Sequence, residues 1–174
     1  MRSSLAGAVL VMGMLAASAN DAVGQVALGY TDVGGVIGLG NIGSASVAFG
    51  GRFERVFKKL PDLGDGLLGI GISADVYSYD YGPGTLRYIP FGATANYHFK
   101  LDPKNKLDAF LGAGLGFKSI SCTGPATGCG SYGSGVYFIG RAGGRYFLKP
   151  NLALYADAGA GAATVSIGVT FKLK

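Results

Sequence analysis

Read backwards from Leu173, every second residue at the end of this chain is apolar: Leu173, Phe171, Val169, Ile167, Val165 and Ala163. Lys172, Thr170, Gly168, Ser166 and Thr164 stand between them. An unbroken period of two predicts a strand with one apolar and one polar face. The same alternation recurs upstream. Asp32 to Gly40 carries Val33, Ile37 and Leu39 on one side. Ser44 to Phe57 sets Ala45, Val47, Phe49 and Phe53 against Ser46, Arg52 and Glu54. Gly66 to Tyr81 sets Leu68, Ile70, Ile72, Ala74 and Val76 against Ser73, Asp75, Tyr77 and Tyr79. Leu86 to Lys100 sets Ile89, Phe91, Ala93, Ala95, Tyr97 and Phe99 against Thr94, Asn96 and His98. Leu107 to Ile120 places Leu111, Ala113, Leu115 and Phe117 opposite Asp108, three glycines and Lys118. Tyr132 to Leu148 places Val136, Phe138, Ala142, Tyr146 and Leu148 opposite Arg141 and Arg145. Leu152 to Ala160 places Leu152, Leu154, Ala156 and Ala158 opposite Tyr155 and Asp157.

These segments predict an all-β fold of eight strands. Most reach the roughly 9–11 residues with which a tilted strand crosses a bilayer. The connections are turn-like: 40–43, Lys58 to Asp65, 82–84, 102–105, Ser121 to Ser131, 149–151 and a small-residue turn near Gly161. An even strand number returns both ends to one side of the membrane, which makes the second, fourth and sixth connections periplasmic turns. Pro90 interrupts the fourth segment. It has no N–H to give, so it predicts a lost ladder bond or a bulge.

The start of the chain and its composition support a membrane setting. Arg2, the uncharged apolar run Leu5 to Ala17, and Ala17-Ser18-Ala19 read as a secretory signal with its cleavage site. Residues 1–19 are expected to be removed, with a second possible cut after Gly24, leaving one barrel domain over 20–174. Charged residues are only 14% of the chain, too few to cover a soluble surface. Yet no apolar run after the signal is long enough for a transmembrane helix. A membrane barrel resolves this, because its outer face meets lipid and its polar face points inward. The net charge of +5 is mild and forms no basic tract, so no nucleic-acid partner is expected.

At this point the chain resembles the small outer-membrane β-barrels of Gram-negative-type bacteria, the eight-stranded OmpA/OmpX-like family. Ser166-x-Gly168-x-x-Phe171-x-Leu173 is similar to the C-terminal signal read by the barrel-assembly machinery. The family commonly ends on an aromatic residue, whereas here Leu173 takes the last hydrophobic place before Lys174. The stretches 87–91 (Arg-Tyr-Ile-Pro-Phe) and 96–99 (Asn-Tyr-His-Phe) also look like this group. The resemblance implies an eight-stranded antiparallel transmembrane β-barrel in the outer membrane, contacting lipid and the assembly machinery, monomeric and without a cofactor. The family's frequent peptidoglycan-binding domain has no counterpart among the residues.

Several residues carry candidate chemistry. Gly38 to Gly43 spells G-x-G-x-x-G, but a dinucleotide site needs a helix next, and Ser44 to Phe57 alternates as a strand. A glycine-rich hairpin turn fits better. Cys122 and Cys129, close together in an exported loop, are expected to form a disulfide. Two thiols and one distant histidine do not complete a zinc site. His98 lies on the polar face near a turn, with no Ser or carboxylate beside it in sequence. A structural inward histidine is favoured over a lipid A-modifying site, although some eight-stranded barrels are such enzymes. The inward charges Asp32, Arg52, Glu54, Asp75, Asp108, Lys118, Arg141, Arg145 and Asp157 include both signs. In a narrow lumen such charges are expected to pair, because an unpaired buried ion costs several kcal/mol.

The expected function is therefore a non-enzymatic structural or interaction barrel with a plugged lumen. A narrow porin-like channel is the alternative, followed by a lipid-modifying enzyme. A soluble lipocalin-like binder would put the polar face in water, and that face is rich in Gly, Ser and Tyr but poor in Lys and Glu.

Overall fold

The alternation closes on itself into a barrel. The computed structural model describes residues 26–82, 84–101, 106–124 and 133–173. Its strands are β1 (Thr31–Leu39), β2 (Ala48–Leu60), β3 (Gly66–Tyr81), β4 (Gly84–His98), β5 (Leu107–Thr123), β6 (Gly135–Lys149), β7 (Leu152–Ala160) and β8 (Val165–Lys172). Each pairs antiparallel with its sequence neighbour, and β1 pairs with β8 to close the ring. Among the described residues no helix is long and apolar enough to cross a membrane, and the crossing is made by strands. The signal segment, Cys129, Lys174 and the turn at 102–105 lie outside the described residues.

The two faces meet different surroundings. Leu115, Phe138 and Val136 are more than 60% exposed, and Ile70, Ile72, Ile89, Phe91, Leu111 and Ile167 join them on the outer wall. The interior holds Asp32, Glu54, Asp75, Asn96, His98, Asp108, Arg145, Asp157, Ser166 and Thr170, all buried. A soluble protein has the opposite arrangement. A barrel bathed in hydrocarbon gains by turning its apolar face outward.

Two predicted boundaries are corrected. β2 begins at Ala48 rather than Ser44. Residues 40–47 instead form a turn that sends Ile42 inward: Gly43 turns at φ 62° against the Tyr79 ring, and Ile42 is buried with Tyr77, Leu86 and Tyr88. β2 also runs on to Leu60, past the expected turn start at Lys58, through a bulge between Val56 and Lys58. Ala163, expected on the outward stripe of the last strand, is buried in the same cluster as Ile42, because β8 starts only at Val165. Pro90 makes no bulge. The β3–β4 pairing breaks off after Ala74–Phe91 and resumes at Tyr77–Tyr88 in the same register, so the proline costs ladder bonds without shifting the strands.

The wall is uneven in height. β3 to β6 have 15 to 17 residues, while β1, β7 and β8 have 8 or 9. The β2–β3 ladder stops at Phe49–Val76, and the β6–β7 ladder stops at Gly140–Ala160. Beyond those rungs β3 to β6 continue as a curved sheet. Among the described residues its edges, Tyr77–Tyr81 of β3 and Gly135–Ile139 of β6, pair with no strand on their outer sides. The outward residues change character there. Val76, Ile89, Phe117 and Val136 are the last apolar ones, followed by Ser78, Asp80, Arg87, Thr85, Ser119, Ser121 and Thr123. That change sets the level at which the sheet leaves hydrocarbon.

Candidate functional site

The inward side chains of β1, β2, β4, β5 and β6 converge near the end that holds the termini. Alternation places Asp32, Glu54, His98, Asp108 and Arg145 on the inner face, and the barrel's stagger brings them to one level. The Arg145 guanidinium donates through Nε to Asp32 Oδ2 at 2.8 Å, through Nη1 to Asp108 Oδ2 at 2.8 Å, and through Nη2 to Glu54 Oε2. His98 fills the opposite side of the same carboxylates, with Nδ1 2.9 Å from Asp108 Oδ1 and Nε2 2.9 Å from Glu54 Oε1. Asn96 Nδ2 donates to Glu54 at 2.6 Å, and the Tyr30 hydroxyl donates to Asp32 at 2.9 Å. The rings of Tyr30, Phe110 and Tyr155 surround the guanidinium, with centroids 5.8, 5.4 and 5.5 Å from Cζ. Two of the three carboxylates, Glu54 and Asp108, thus share an imidazole, and all three share one guanidinium. This planar five-donor fork is the side chain best suited to such a task.

A second group lies towards the other end. Arg52 Nη2 stands 3.0 Å from Asp75 Oδ1, and Arg141 pairs with Asp157. Ser166 Oγ accepts from Arg141 at 3.1 Å and from Arg52 at 3.4 Å, so one hydroxyl ties the two pairs together. Tyr155 joins the two groups: its ring faces Arg145 and its hydroxyl donates to Asp157. The space left between them is about 60 Å³, bordered by Glu54, Asn96, Arg52, Arg141 and Tyr155.

Of the inward charges expected from the sequence, Asp32, Arg52, Glu54, Asp75, Asp108, Arg141, Arg145 and Asp157 come together in these two groups. Lys118 does not. It stands apart, 5.6 Å over the Tyr88 ring, and pairs with no carboxylate among the described residues. His98 departs from its expected surroundings, since both ring nitrogens meet carboxylates: Glu54 of β2, and Asp108 just across the β4–β5 hairpin. Cys122 lies near the end of β5. Of the C-terminal signal, Ser166 is buried at the arginines, Gly168 lies at the β1–β8 seam, and Phe171 and Leu173 face outward. Among the described residues no group of three or more potential metal ligands has the geometry to hold an ion.

No family model and no curated protein matches the chain. Solved structures do. The attachment invasion locus protein Ail of Yersinia pestis matches with a TM-score of 0.52 at 11% identity, covering 82% of this chain and 93% of its own. A barrel from the de novo design of transmembrane β-barrels matches with a TM-score of 0.51 at 19% identity, over 86% of this chain and 99% of the design. Neisserial surface protein A matches with a TM-score of 0.45 at 19% identity, over 83% and 95% of the two chains. The first two establish the fold, a closed all-β transmembrane barrel. At such identities the likeness does not extend to function.

Proposed function

We propose that this chain is an integral barrel of a bacterial outer membrane with a structural or interaction role, its lumen closed by its own ion pairs. The observation that carries this reading is Arg145, bonded to Asp32, Glu54 and Asp108 across the lumen and ringed by aromatic side chains. Eight strands leave an interior only wide enough for side chains to fill. Here the filling is charged and paired with itself. A permeating ion would have to part charges whose separation costs several kcal/mol. The interaction role is supported by the projecting β3–β6 sheet, whose two edges offer main-chain groups to a partner.

In this reading the projecting sheet faces outward, residues 1–19 are cleaved, and Cys122 and Cys129 form a disulfide in the outer loop. The last strand presents Phe171 and Leu173 to the assembly machinery. An enzymatic reading finds no support at His98, because its two nitrogens are engaged by carboxylates and no hydroxyl among the described residues bonds the ring.

Planar-bilayer recording of the purified barrel tests the proposal, which expects little steady current from the wild type and more from Arg145→Ala. A large stable conductance of the wild type would replace it with the channel. A change in lipid A mass on overexpression that disappears with His98→Ala would replace it with the enzyme.

A further inference from the structure

We infer that a recess beside the Ile42–Tyr77–Tyr88 cluster, at the end of the barrel opposite the Arg145 group, is a binding cup for a small ring-bearing monoanion. The cup lies under the projecting sheet and has a volume of about 250 Å³. Lys118 and Pro90 face each other across β5 and β4 on one wall, beside Tyr77 and Tyr137. Asn41 and Gly161, from two turns, form the opposite side. Tyr137 and Gly161 also border the smaller space among the Arg52–Asp75 and Arg141–Asp157 pairs.

Three features define what the cup takes. The first is charge. Among the described residues Lys118 is the only charged one lining it, and no carboxylate does. The ammonium rests over the Tyr88 ring and forms no ion pair with a described residue. An anion therefore meets a cation without an internal competitor, in a recess where charges interact more strongly than in bulk water.

The second feature is hydrogen bonding. The Tyr77 and Tyr137 hydroxyls bond no described residue, so each offers a donor and an acceptor to a ligand. The third is shape. Tyr77 is stacked on Tyr88 with centroids 4.8 Å apart and planes 6° from parallel, which sets the wall before a ligand arrives. The half-buried ring of Tyr137 suits the face of an aromatic ring or the C–H face of a sugar. The volume is below the roughly 300–1,000 Å³ typical of drug-sized sites, so one six-membered ring with its substituents fits.

An aromatic acid and a sugar acid share this chemistry, and a titration separates them. The refolded full chain in nanodiscs of zwitterionic lipid is titrated with benzoate and with glucuronate while its amide NMR signals are followed. Benzyl alcohol and methyl glucoside serve as uncharged counterparts. The expected result is saturable shifts at Asn41, Lys118 and Tyr137 with at least one acid. Binding should be at least about tenfold weaker for the uncharged counterparts and for Lys118→Gln, and largely kept by Lys118→Arg. Saturation by benzoate alone assigns an aromatic acid, and by glucuronate alone a sugar acid. Absence of saturable shifts with both acids, equal affinity for the uncharged counterparts, or full binding by Lys118→Gln overturns the inference. Should Lys118→Gln fail to fold, the comparison of charged and uncharged ligands on the wild type still decides it.

Discussion

At the scale of residues, Arg145 has the largest energetic role. Its removal leaves Asp32, Glu54 and Asp108 facing one another with only His98 between two of them. Taking one partner from a buried ionic group typically costs about 3–5 kcal/mol, so Arg145→Ala should lower stability by that order. Urea unfolding of the barrel refolded in lipid measures it, with the exposed Lys58→Ala as a reference expected to change little. Alternation assigned Arg145, Glu54 and Asp108 to the inner face but left Asp75 and Asp157 as equally good partners. Period two fixes the face of a residue. It does not fix its height along the axis, which depends on register summed around the ring. Asp32 and Arg145 are 113 positions apart, and nothing local in the sequence links them. Glu54 escaped notice at His98 for the same reason, since it comes from β2, whereas Asp108 is only 10 positions away and comes within reach through the local β4–β5 hairpin.

At the scale of elements, β3 and β7 have the bounds their alternation predicts, Gly66–Tyr81 and Leu152–Ala160. β2 does not, because the segment before it turns Ile42 inward, with Ala45 packed against the same cluster, to cover Tyr77 and Tyr88, while Ser44, Ser46 and Val47 stay exposed. Tertiary packing outweighed local pattern there. The β1–β8 seam yields a further expectation. A Cβ on Gly168 would lie 2.0 Å from the Gly35 carbonyl oxygen, and backbone cannot step aside as a side chain can. Gly168→Ala should therefore spread the seam and cost about 1–3 kcal/mol, read as a lower urea midpoint for the refolded barrel. Gly35→Ala, where a Cβ meets nothing within 4 Å, is the control and should be far milder. Gly168 is thus expected to serve closure of the folded barrel, besides the place proposed for it in the C-terminal signal.

At the scale of the whole molecule, the fold was legible because it depends on a one-dimensional property. Two faces meeting two different surroundings impose strict alternation, and low charge with no long apolar run excluded both a soluble surface and a helical span. Function was less legible, because the contents of the lumen depend on three-dimensional pairing. Lipid contact carries a cost that can be measured: Leu115→Arg, at a position 61% exposed on the outer wall, should destabilise by about 2–4 kcal/mol if it lies near the midplane. The inside-out arrangement itself is tested most directly along β5. Single nitroxide labels would be placed at Leu111, Leu115 and Phe117, and at Phe110 and Lys118, in a Cys122→Ser, Cys129→Ser background. The barrel account predicts that the first three labels are relaxed by oxygen dissolved in the bilayer and shielded from a water-soluble nickel chelate, while Phe110 and Lys118 show little oxygen relaxation. The reverse pattern, or nickel access at Leu111, Leu115 and Phe117, would contradict it.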